Sequence, residues 1–490
     1  MKRLKWLLRR IVFFTLLVII GIIVFKTISY KSKQINISSI EVIPIEDDVV
    51  KRLSEIVQIT TTSYDERIDT AAFLAFQDYL DSNYVLVDSL LEKEIVNDFS
   101  IVYKWPGKNP RLDPVLLLGH IDVVPVEKES WDAWTHPPYS GAISDGFVWG
   151  RGTLDDKVSI LGVLEAIELL LKEDYQPERT VYLACGHDEE IRGFNGAQAI
   201  ARMFKQQGLT FEYVLDEGMV LIEDALPGLS KPVALIGTAE KGYTTLKLTV
   251  QLPHGGHSSM PPAETVIGIL SGAILKLQNN PFPSKIDGPI KTLFDYAGPE
   301  MSFPLNVVFA NTWLTEGLLK WQLSGANTTN ALIRTTIAPT ILRSGFKDNV
   351  LPTEATAKIN FRITPNETTQ SVLKYVINVI ADDRVIVVQS DAKFSSDPSP
   401  ISATDSFGYR VIEKTAHEIF PDIYVAPILV LAATDSRHYV EVSKNIYRFI
   451  PIRMMQEDTK RIHGIDERIS VEDYKNVVRF YHQLLKNSCK

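Results

Sequence analysis

Short apolar runs alternate with helix-like patterns along the first half of the chain. The strand-like runs are rich in Val, Leu and Ile, whereas the others repeat their apolar positions with the 3.6-residue period of a helix. Runs of the first kind are residues 115–124, 180–186 and 211–216, and runs of the second kind are residues 158–173 and 196–208. Apolar strands separated by helices are typical of a sheet covered on both faces. The pattern therefore predicts an α/β fold with a mixed, mostly parallel sheet and helices on both faces.

The pattern changes near Gly237, after which strands with alternating apolar and polar residues begin. Residues 242–252 alternate as a half-buried antiparallel strand does, and a helix is predicted to begin near Pro261. Further alternating runs, a helix and a strand follow before the helix–strand alternation resumes after about residue 400. We therefore predict an α+β domain inserted into the α/β domain. The predicted segments are an N-terminal anchor or signal (1–30), the α/β domain in two parts (31–238 and 398–490) and the inserted domain (239–397).

The N-terminal segment combines positive charge with a long apolar run. Five basic residues precede 15 uncharged, mostly apolar residues at positions 11–25, a length between a signal-peptide core and a full membrane span. Residues 6–8 and Ile28 can extend the run at its two ends. The basic residues before the run predict a single-pass anchor with the bulk of the chain outside the cytoplasm. Two alternatives stay open: a cleaved signal peptide, which would give a secreted protein, and a buried helix.

Composition and charge exclude several classes of protein. The chain has 490 residues, 45% of them hydrophobic and 23% charged, which is typical of a globular protein of more than one domain. A net charge of −9 argues against a nucleic-acid partner, because such surfaces need clustered Lys and Arg. The two cysteines are Cys185, in an apolar run, and Cys489, next to the C-terminus. Neither a disulfide framework nor a cysteine zinc site is therefore expected.

Acidic residues and histidines gather where the predicted strands end, and ligands of open α/β sheets bind at such ends. His120 and Asp122 close the first strand, and residues i and i+2 of an extended segment face the same side. Asp155 follows a glycine-rich turn at a helix start, where an aspartate could equally be a helix cap. Glu189 and Glu190 end the next strand, either as a solvated acidic turn or as a pair stabilised by cations.

Two later positions complete a set of candidate metal ligands. Asp216 ends the third strand, with Glu217 beside it as an alternative, and His463 lies in the motif RIHGIDERI. Each is a weak signal by itself, but together they form a mixed N/O set suited to zinc or a similar divalent ion. Two such ions about 3.5–4 Å apart would activate a water and polarise a carbonyl. The predicted ligands are His120, Asp155, Glu190, Asp216 and His463.

Five motifs occur in the order and approximate spacing of a known enzyme family: GHIDVVP, WGRGTLDDK, GHDEE, LDEG and RIHGIDERI. The chain resembles the aminoacylase/carboxypeptidase S superfamily of di-zinc exopeptidases and amidohydrolases, in its carboxypeptidase S-like branch, over nearly everything after the N-terminal segment. The resemblance implies a zinc-exopeptidase-like fold, with the inserted domain as a lid and often a dimerisation surface. It also implies two zinc ions per subunit.

The same resemblance implies a role for each motif residue. One zinc would be held by His120 and Asp216, and the other by Glu190 and His463. Asp155 would bridge the two ions, and in relatives the peptide after this aspartate is usually cis, so a cis bond to Asp156 is expected. The two remaining roles are those of Glu189 as the general base and Asp122 as the residue that orients the His120 ring.

The inserted domain carries three further positions that match the family. His257 matches the lid histidine that polarises the substrate carbonyl, frequently across a dimer. Asn349 and Arg362 match positions that bind the carboxyl end of the substrate, and the planar fork of arginine suits a carboxylate. Residues 435–438 resemble a substrate-side loop. Residues 191–192, Ile-Arg, stand where two glycines commonly follow the paired glutamates, a departure that affects the shape of the pocket.

The residues and the resemblance together predict a zinc-dependent hydrolase of an amide or peptide bond next to a free carboxylate. The first expectation is a carboxypeptidase S-like exopeptidase. The alternative is an N-acyl-amino-acid amidohydrolase, with N-fatty-acyl amino acids as one substrate class. The apolar residues of segment 281–344 could line an acyl pocket or pack a homodimer interface. A rival from another class, a membrane-anchored binding protein on an inactive hydrolase fold, is disfavoured because every expected ligand is present.

Overall fold

Helices and short strands alternate through residues 2–64, 67–390 and 392–490, which the computed structural model describes. The helices are α1 (Lys2–Ser29), α2 (Asp47–Val57), α3 (Thr70–Asn83), α4 (Val85–Leu90), α5 (Lys157–Lys172), α6 (Ala197–Gln206), α7 (Val266–Asn279), α8 (Gly288–Ala297), α9 (Leu305–Ala310), α10 (Thr312–Leu323), α11 (Asn327–Ile333), α12 (Thr369–Ile380), α13 (Phe407–Ile419) and α14 (Val471–Ser488). The strands are β1 (Ser63–Tyr64), β2 (Arg67–Ile68), β3 (Glu92–Val96), β4 (Ser100–Trp105), β5 (Val115–His120), β6 (Ile143–Ser144), β7 (Phe147–Trp149), β8 (Val181–Gly186), β9 (Tyr213–Asp216), β10 (Leu221–Ile222), β11 (Val233–Glu240), β12 (Gly242–Gln251), β13 (Gly256–His257), β14 (Thr336–Ser344), β15 (Val350–Leu351), β16 (Glu354–Ile363), β17 (Val385–Gln389), β18 (Tyr424–Val430), β19 (Ile446–Arg448), β20 (Arg453–Met454) and β21 (Arg468–Ser470).

A ten-stranded sheet forms the larger part of the fold. Its strand order is β20-β10-β11-β19-β9-β5-β8-β4-β3, and β18 pairs with β11. The central strands β9, β5 and β8 run parallel, with Leu117 opposite both Leu183 and Leu215. Beyond β8, the strands β4 and β3 are antiparallel. The sheet is mixed, as predicted, and its parallel part lies at the centre, where the predicted ligands end their strands.

Successive side chains of the central strands enter two different cores. Leu117, Leu183 and Leu215 pack with α5 and α14. Ala184 and Val214, each one position away, pack with α6 instead. Because side chains of a strand alternate between its two faces, helices cover both faces of this sheet, and this explains why its strands are apolar at every position.

A four-stranded antiparallel sheet, β14-β16-β12-β17, forms a second unit with its own core. Strand β12 alternates buried and half-exposed residues, as predicted, and its buried side chains meet α7 and α12. The start predicted near Pro261 for α7 is too early, because the helix begins at Val266. The Thr265 hydroxyl accepts a hydrogen bond from the Gly268 N–H, so this threonine caps the first turn.

Helices α8 to α11 fall within the predicted inserted domain, yet much of their packing is with the ten-stranded sheet. Ile290, Leu293 and Phe294 of α8 are buried in the same core as Val425 of β18. Ile333, the last residue of α11, joins that core as well. The predicted domain boundaries stay a prediction, and residues 288–333 fix part of the inserted stretch to the larger unit.

The N-terminal helix α1 is longer than the 15-residue run on which it was predicted. Residues 3–29 contain an 18-residue stretch with a mean hydropathy of 2.8, and the helix is long and apolar enough to cross a membrane, by length and composition. Directly after the helix, the Tyr30 hydroxyl donates to the Phe294 carbonyl. The Gln34 side chain donates to the Val425 carbonyl at 2.9 Å and accepts from the Val425 N–H at 2.8 Å. The segment that follows α1 is therefore hydrogen-bonded to α8 and β18.

Candidate metal centre

Four predicted metal ligands lie together at the carboxyl end of β5. His120 ends β5, and its Nε2 lies 2.8 Å from Asp155 Oδ1. The other oxygen, Asp155 Oδ2, lies 2.9 Å from His463 Nε2, which is itself 3.2 Å from Glu190 Oε1. Ligand atoms of His120, Asp155 and Glu190 all lie within 4.8 Å of one another. Residues that are hundreds of positions apart in the sequence thus surround one small volume.

The charges in this volume are those of a cation site. Burial raises the pKa of both Glu189 and Glu190 above the usual value of a glutamate. Hydrogen bonds to Asp155 and Glu190 raise the pKa of His463 to about 10. Glu190 Oε1 is buried, and the His463 imidazole 3.2 Å away is the positive group beside it. Because a divalent cation supplies the positive charge that buried carboxylates need, this donor set fits such an ion.

Asp122 lies between His120 and the turn that carries the paired glutamates. His120 Nδ1 is 3.3 Å from Asp122 Oδ1 and 3.0 Å from the Asp122 carbonyl oxygen. The two carboxylate oxygens of Asp122 accept hydrogen bonds from the backbone N–H groups of Glu189 and Glu190, each at 3.1 Å. One aspartate thus contacts the imidazole of a candidate ligand and fixes the turn of two others. The peptide between Asp155 and Asp156 is cis, as expected.

Asp216 and Glu217 have different surroundings. Asp216 is buried and its Oδ2 accepts a hydrogen bond from the Ser436 N–H at 2.8 Å. Ser436 is held in turn by Arg448, whose Nε donates to its hydroxyl at 2.8 Å. Glu217 makes no side-chain hydrogen bond with the described residues, and burial followed by the charge of Asp155 raises its pKa well above the usual value. Because neighbouring side chains of a strand diverge, these two carboxylates face different groups.

Glu467 joins the two loops that carry Asp155 and His463, although nothing but its place in the last motif singled it out in the sequence. Its Oε1 accepts from the N–H groups of Gly152 and Leu154, each at 2.9 Å. Its Oε2 pairs with Arg151, whose Nη2 donates to the His463 carbonyl at 3.0 Å. Glu467 and Arg151 are both buried, so this ion pair with its hydrogen bonds holds the two loops in register.

Replacing Glu467 by Gln is expected to lower the free energy of unfolding by about 3 kcal/mol, because it leaves the buried Arg151 guanidinium without its counter-charge. The matched control is Glu223→Gln, which removes the 3.1 Å ion pair with Arg453 at the surface and should cost at most about 1 kcal/mol. Thermal unfolding of both variants in detergent measures how much unfolding free energy each has lost. The metal content of each variant is determined on the same sample. Equal losses of unfolding free energy in the two variants would contradict the role of the Glu467–Arg151 ion pair in holding the two loops together.

The predicted residues of the inserted domain do not contact the ligand cluster. His257 and Asn349 lie close together, because β13 and β15 pair His257 with Val350. His257 is exposed, and its Nδ1 lies 2.8 Å from the Ser259 hydroxyl. Asn349 Oδ1 is buried and has no hydrogen-bond partner among the described residues. Neither side chain forms a hydrogen bond or an ion pair with the predicted metal ligands in the described part of the chain.

Three arginines form a cationic cluster beside the paired glutamates. The guanidinium carbons of Arg362 and Arg192 lie 5.0 Å and 5.6 Å from the centre of the same Tyr243 ring. Arg437 Nη2 donates to the Arg192 carbonyl at 2.9 Å. Burial lowers the pKa of Arg362, and the charges of Arg437 and Arg192 lower it further. None of the described carboxylates forms an ion pair with these guanidinium groups, although the charge of Arg437 acts on the buried carboxylates of Asp435 and Glu189.

Of these three arginines, Arg362 was predicted as a binding residue, whereas Arg192 was noted only as a departure from the family pattern. Arg192 has a φ of 91°, a left-handed conformation that favours glycine. Its side chain stacks on Phe394, with the guanidinium carbon 3.9 Å from the ring centre. No sequence pattern foretold that contact, because the two residues are far apart in the chain.

The sequence profile of peptidase family M20/M25/M40 matches residues 116–487, which include the ligand cluster and the arginine cluster. The chain belongs to the M20/M25/M40 peptidase family. Like other members it is a metal-dependent hydrolase, as the sequence predicted. The predicted resemblance to carboxypeptidase S-like enzymes is confirmed as well.

Two relatives of this M20 chain are similar over most of their length. The probable carboxypeptidase S-like 2 of Dictyostelium discoideum is 41% identical over 505 residues, covering 100% of this chain and 96% of the relative. The N-fatty-acyl-amino acid synthase/hydrolase PM20D1 of Xenopus tropicalis is 44% identical over 446 residues, covering 90% and 86%. Both lines of the functional prediction, the exopeptidase and the amidohydrolase, thus have a relative among the M20 enzymes.

Solved structures share the fold of this M20 chain. The M20 family metallo-carboxypeptidase Sso-CP2 of Sulfolobus solfataricus aligns with a TM-score of 0.63 at 17% identity, covering 90% of this chain and 99% of that one. Human carnosine dipeptidase 1 aligns with a TM-score of 0.58 at 16% identity, covering 90% and 96%. At these identities the likeness concerns the fold alone, and it confirms the predicted mixed α/β class.

Proposed function

We propose that this chain is a di-zinc hydrolase, anchored in a membrane by α1, that splits an amide bond next to a free carboxylate. The observation that carries the proposal is the position of the arginine cluster beside the ligand cluster. Arg437 acts electrostatically on Glu189, and its Nη2 contacts the carbonyl of Arg192, two residues beyond Glu190. The ligand cluster suits cations, and the arginine cluster suits an anion. A substrate that carries a carboxylate next to its scissile amide bond can therefore contact both clusters.

Five side chains would hold the two zinc ions. Asp155 would be shared between them, because its two oxygens face two different imidazoles, those of His120 and His463. His463 and Glu190 would complete one site. We propose Glu217, the alternative weighed from the sequence, in place of Asp216 beside His120. The support is that Asp216 already accepts a hydrogen bond from Ser436, whereas Glu217 is free of such bonds in the described chain.

The bound ions would supply a water of lowered pKa and polarise the scissile carbonyl. Glu189 would take the proton of that water and return it to the leaving amine. Asp122 would keep the His120 ring and the turn of Glu189 in place through the contacts described above. His257 would donate to the oxygen that becomes negative, from the same subunit or from a second copy paired through the inserted domain.

Arg362 and Arg192 would bind the substrate carboxylate, with Asn349 as a further polar contact. Two substrate classes carry a carboxylate in the required place: a peptide with a free C-terminus and an N-acyl amino acid. The carboxypeptidase S-like relative corresponds by name to the first, and the N-fatty-acyl-amino acid synthase/hydrolase to the second. The exopeptidase activity is the main proposal, and the N-acyl-amino-acid activity is its alternative.

A matched set of substrates tests the carboxylate requirement. We expect a dipeptide or an N-fatty-acyl amino acid to be hydrolysed about 100-fold faster, in kcat/KM, than the same molecule with its carboxylate converted to an amide. The reason is that hydrogen bonds to a charged group each contribute about 1.5–3 kcal/mol. The release of free amino acid measures both rates, and comparison of the two acids decides which substrate class is preferred.

The variant Arg362→Ala should remove most of this difference by slowing hydrolysis of the acid alone. The control is Arg384→Ala, since Arg384 lies at the surface and is paired with Asp382 and Glu264. Equal rates for acid and amide in the unaltered chain would refute the proposed binding of a free carboxylate. A chain that hydrolyses neither acid would refute both substrate classes.

The location of the enzyme follows from α1. Its length and apolar character support a single-pass anchor with the catalytic part outside the cytoplasm. A secreted protein is the alternative if this segment is cleaved. Alkaline extraction of membranes from cells that express the full chain separates the two, since an anchored chain stays in the pellet.

A further inference from the structure

Large apolar side chains are exposed on α10 and on the turn before α9. Phe303 is 81% exposed, Trp321 72% and Leu318 56%, and Leu314 is exposed to a similar extent. Scattered exposed hydrophobic residues are common in proteins, but three of these lie on the single helix α10, and Phe303 lies on the turn before its neighbour α9. A cluster of exposed apolar side chains marks a site of contact with another protein or with lipid.

The apolar residues of α10 share one face of the helix. At 3.6 residues per turn, Leu314, Leu318 and Trp321 lie within an arc of about 60°. On the opposite face Glu316 and Lys320 form an ion pair. The apolar arc of Leu314, Leu318 and Trp321 points away from the fold, because all three side chains are exposed.

The junction between α9 and α10 contacts the membrane-spanning candidate α1 directly. Asn311 Nδ2 lies 3.1 Å from the Thr27 hydroxyl and 3.4 Å from the Ile23 carbonyl oxygen. Lys26 Nζ lies 5.7 Å from the centre of the Trp313 ring. At 1.5 Å per residue, Ile23 is about 9 Å before the end of α1, so Asn311 lies at the depth of the apolar run.

We propose that α10 and Phe303 form a membrane-contact surface that lies in the bilayer crossed by α1, at the level of the lipid headgroups. The inference rests on the proposed membrane anchor. A helix held against the last turns of a membrane span cannot lie far from the bilayer surface. Trp313 and Trp321, with Lys26 near the Trp313 ring, are the residue types that favour the boundary between lipid and water.

This surface would fix the orientation of the enzyme on the membrane. Helix α8 is buried in the core of the ten-stranded sheet, and Tyr30 and Gln34 hydrogen-bond to α8 and β18. The body of the protein is thus attached to α1 over several contacts rather than by a free tether. Contact of α10 with the bilayer would hold the body against the surface at a second point.

Fluorescent labelling of single cysteines tests the surface in the full chain. The native cysteines, Cys185 and Cys489, are buried, so an environment-sensitive thiol dye on Leu318→Cys reports on that position. The chain is reconstituted into phosphatidylcholine vesicles with or without nitroxide-labelled phosphatidylcholine. We expect a blue-shifted emission that the nitroxide lipid quenches. Trp321→Cys, on the same face, is the second variant and should behave alike.

Two controls define the opposite result. Glu316→Cys lies on the polar face of the same helix, and Leu90→Cys replaces a leucine of similar exposure, 59%, at the end of α4. Neither dye should be quenched. Unquenched, water-like emission at Leu318 and Trp321 would overturn the proposal, as would a blue shift without lipid quenching, which indicates a second protein copy. Flotation of the chain with the vesicles tests the anchor separately, and hydrolytic turnover shows that each variant is folded.

Discussion

Replacing Glu189 by Gln is expected to lower kcat by about 10³-fold and to leave the metal content unchanged. Gln has nearly the shape of Glu but cannot accept the proton of the attacking water. Its neighbour Glu190 is the residue in contact with His463, so the proposed metal ligands keep their side chains in this variant. The backbone N–H groups of the turn would still donate to Asp122.

Two further variants make this prediction specific. Glu190→Gln should lower both turnover and metal content, because it removes a proposed ligand. Glu173→Gln, at the surface beside Lys486, should change neither. Steady-state rates with the preferred substrate and elemental analysis of the same samples give both quantities. A Glu189→Gln enzyme with turnover within a few-fold of the unaltered chain would exclude Glu189 as the general base.

Glu217→Gln is expected to remove about one metal ion per chain and to lower kcat/KM by about 100-fold or more, whereas Asp216→Asn should keep both ions. The physical reason is that Asp216 Oδ2 is occupied by the Ser436 N–H, an interaction that the amide oxygen of Asn can preserve. Glu217 has no such partner among the described residues. Burial, followed by the charges of Asp155 and Asp216, raises its pKa well above the usual value. Loss of a direct ligand should cost at least as much as loss of a residue that supports one.

The reverse result for these two variants would contradict the assignment of Glu217 as the ligand. If Asp216→Asn loses a metal ion while Glu217→Gln retains two, the ligand is Asp216, as first predicted from the sequence. The two variants are well matched, because each converts one of two adjacent carboxylates into its amide. Metal content is measured on the purified full chain after removal of loosely bound ions.

Much of the fold and the ligand cluster could be predicted because the signals are local. The apolar runs at β5, β8 and β9 have the length of strands, and His120, Glu190 and Asp216 stand at or just beyond their ends. The carboxyl ends of parallel strands meet at one edge, so convergence of these residues follows from the pattern. His463 joins them from a distant loop, and only the order of motifs indicated it.

Other parts of the site depend on contacts that no local pattern encodes. A strand pattern shows that Asp216 and Glu217 face different sides, but not which side faces the metal. Glu467 acts through backbone N–H groups of a loop more than 300 positions away. The segment of α8 and α9 is apolar, and the sequence assigned it to the inserted domain. Only its packing shows that it contacts β18 and α1 instead.

The measurement that tests the central claim most directly is the metal content of the full chain, purified in detergent, together with its amide hydrolysis. We predict two zinc ions per chain, loss of hydrolysis when a chelator removes them, and recovery when zinc is added back. Fewer than one divalent ion per chain, with hydrolysis unaffected by the chelator, would contradict the claim that these residues form a metal-dependent active site.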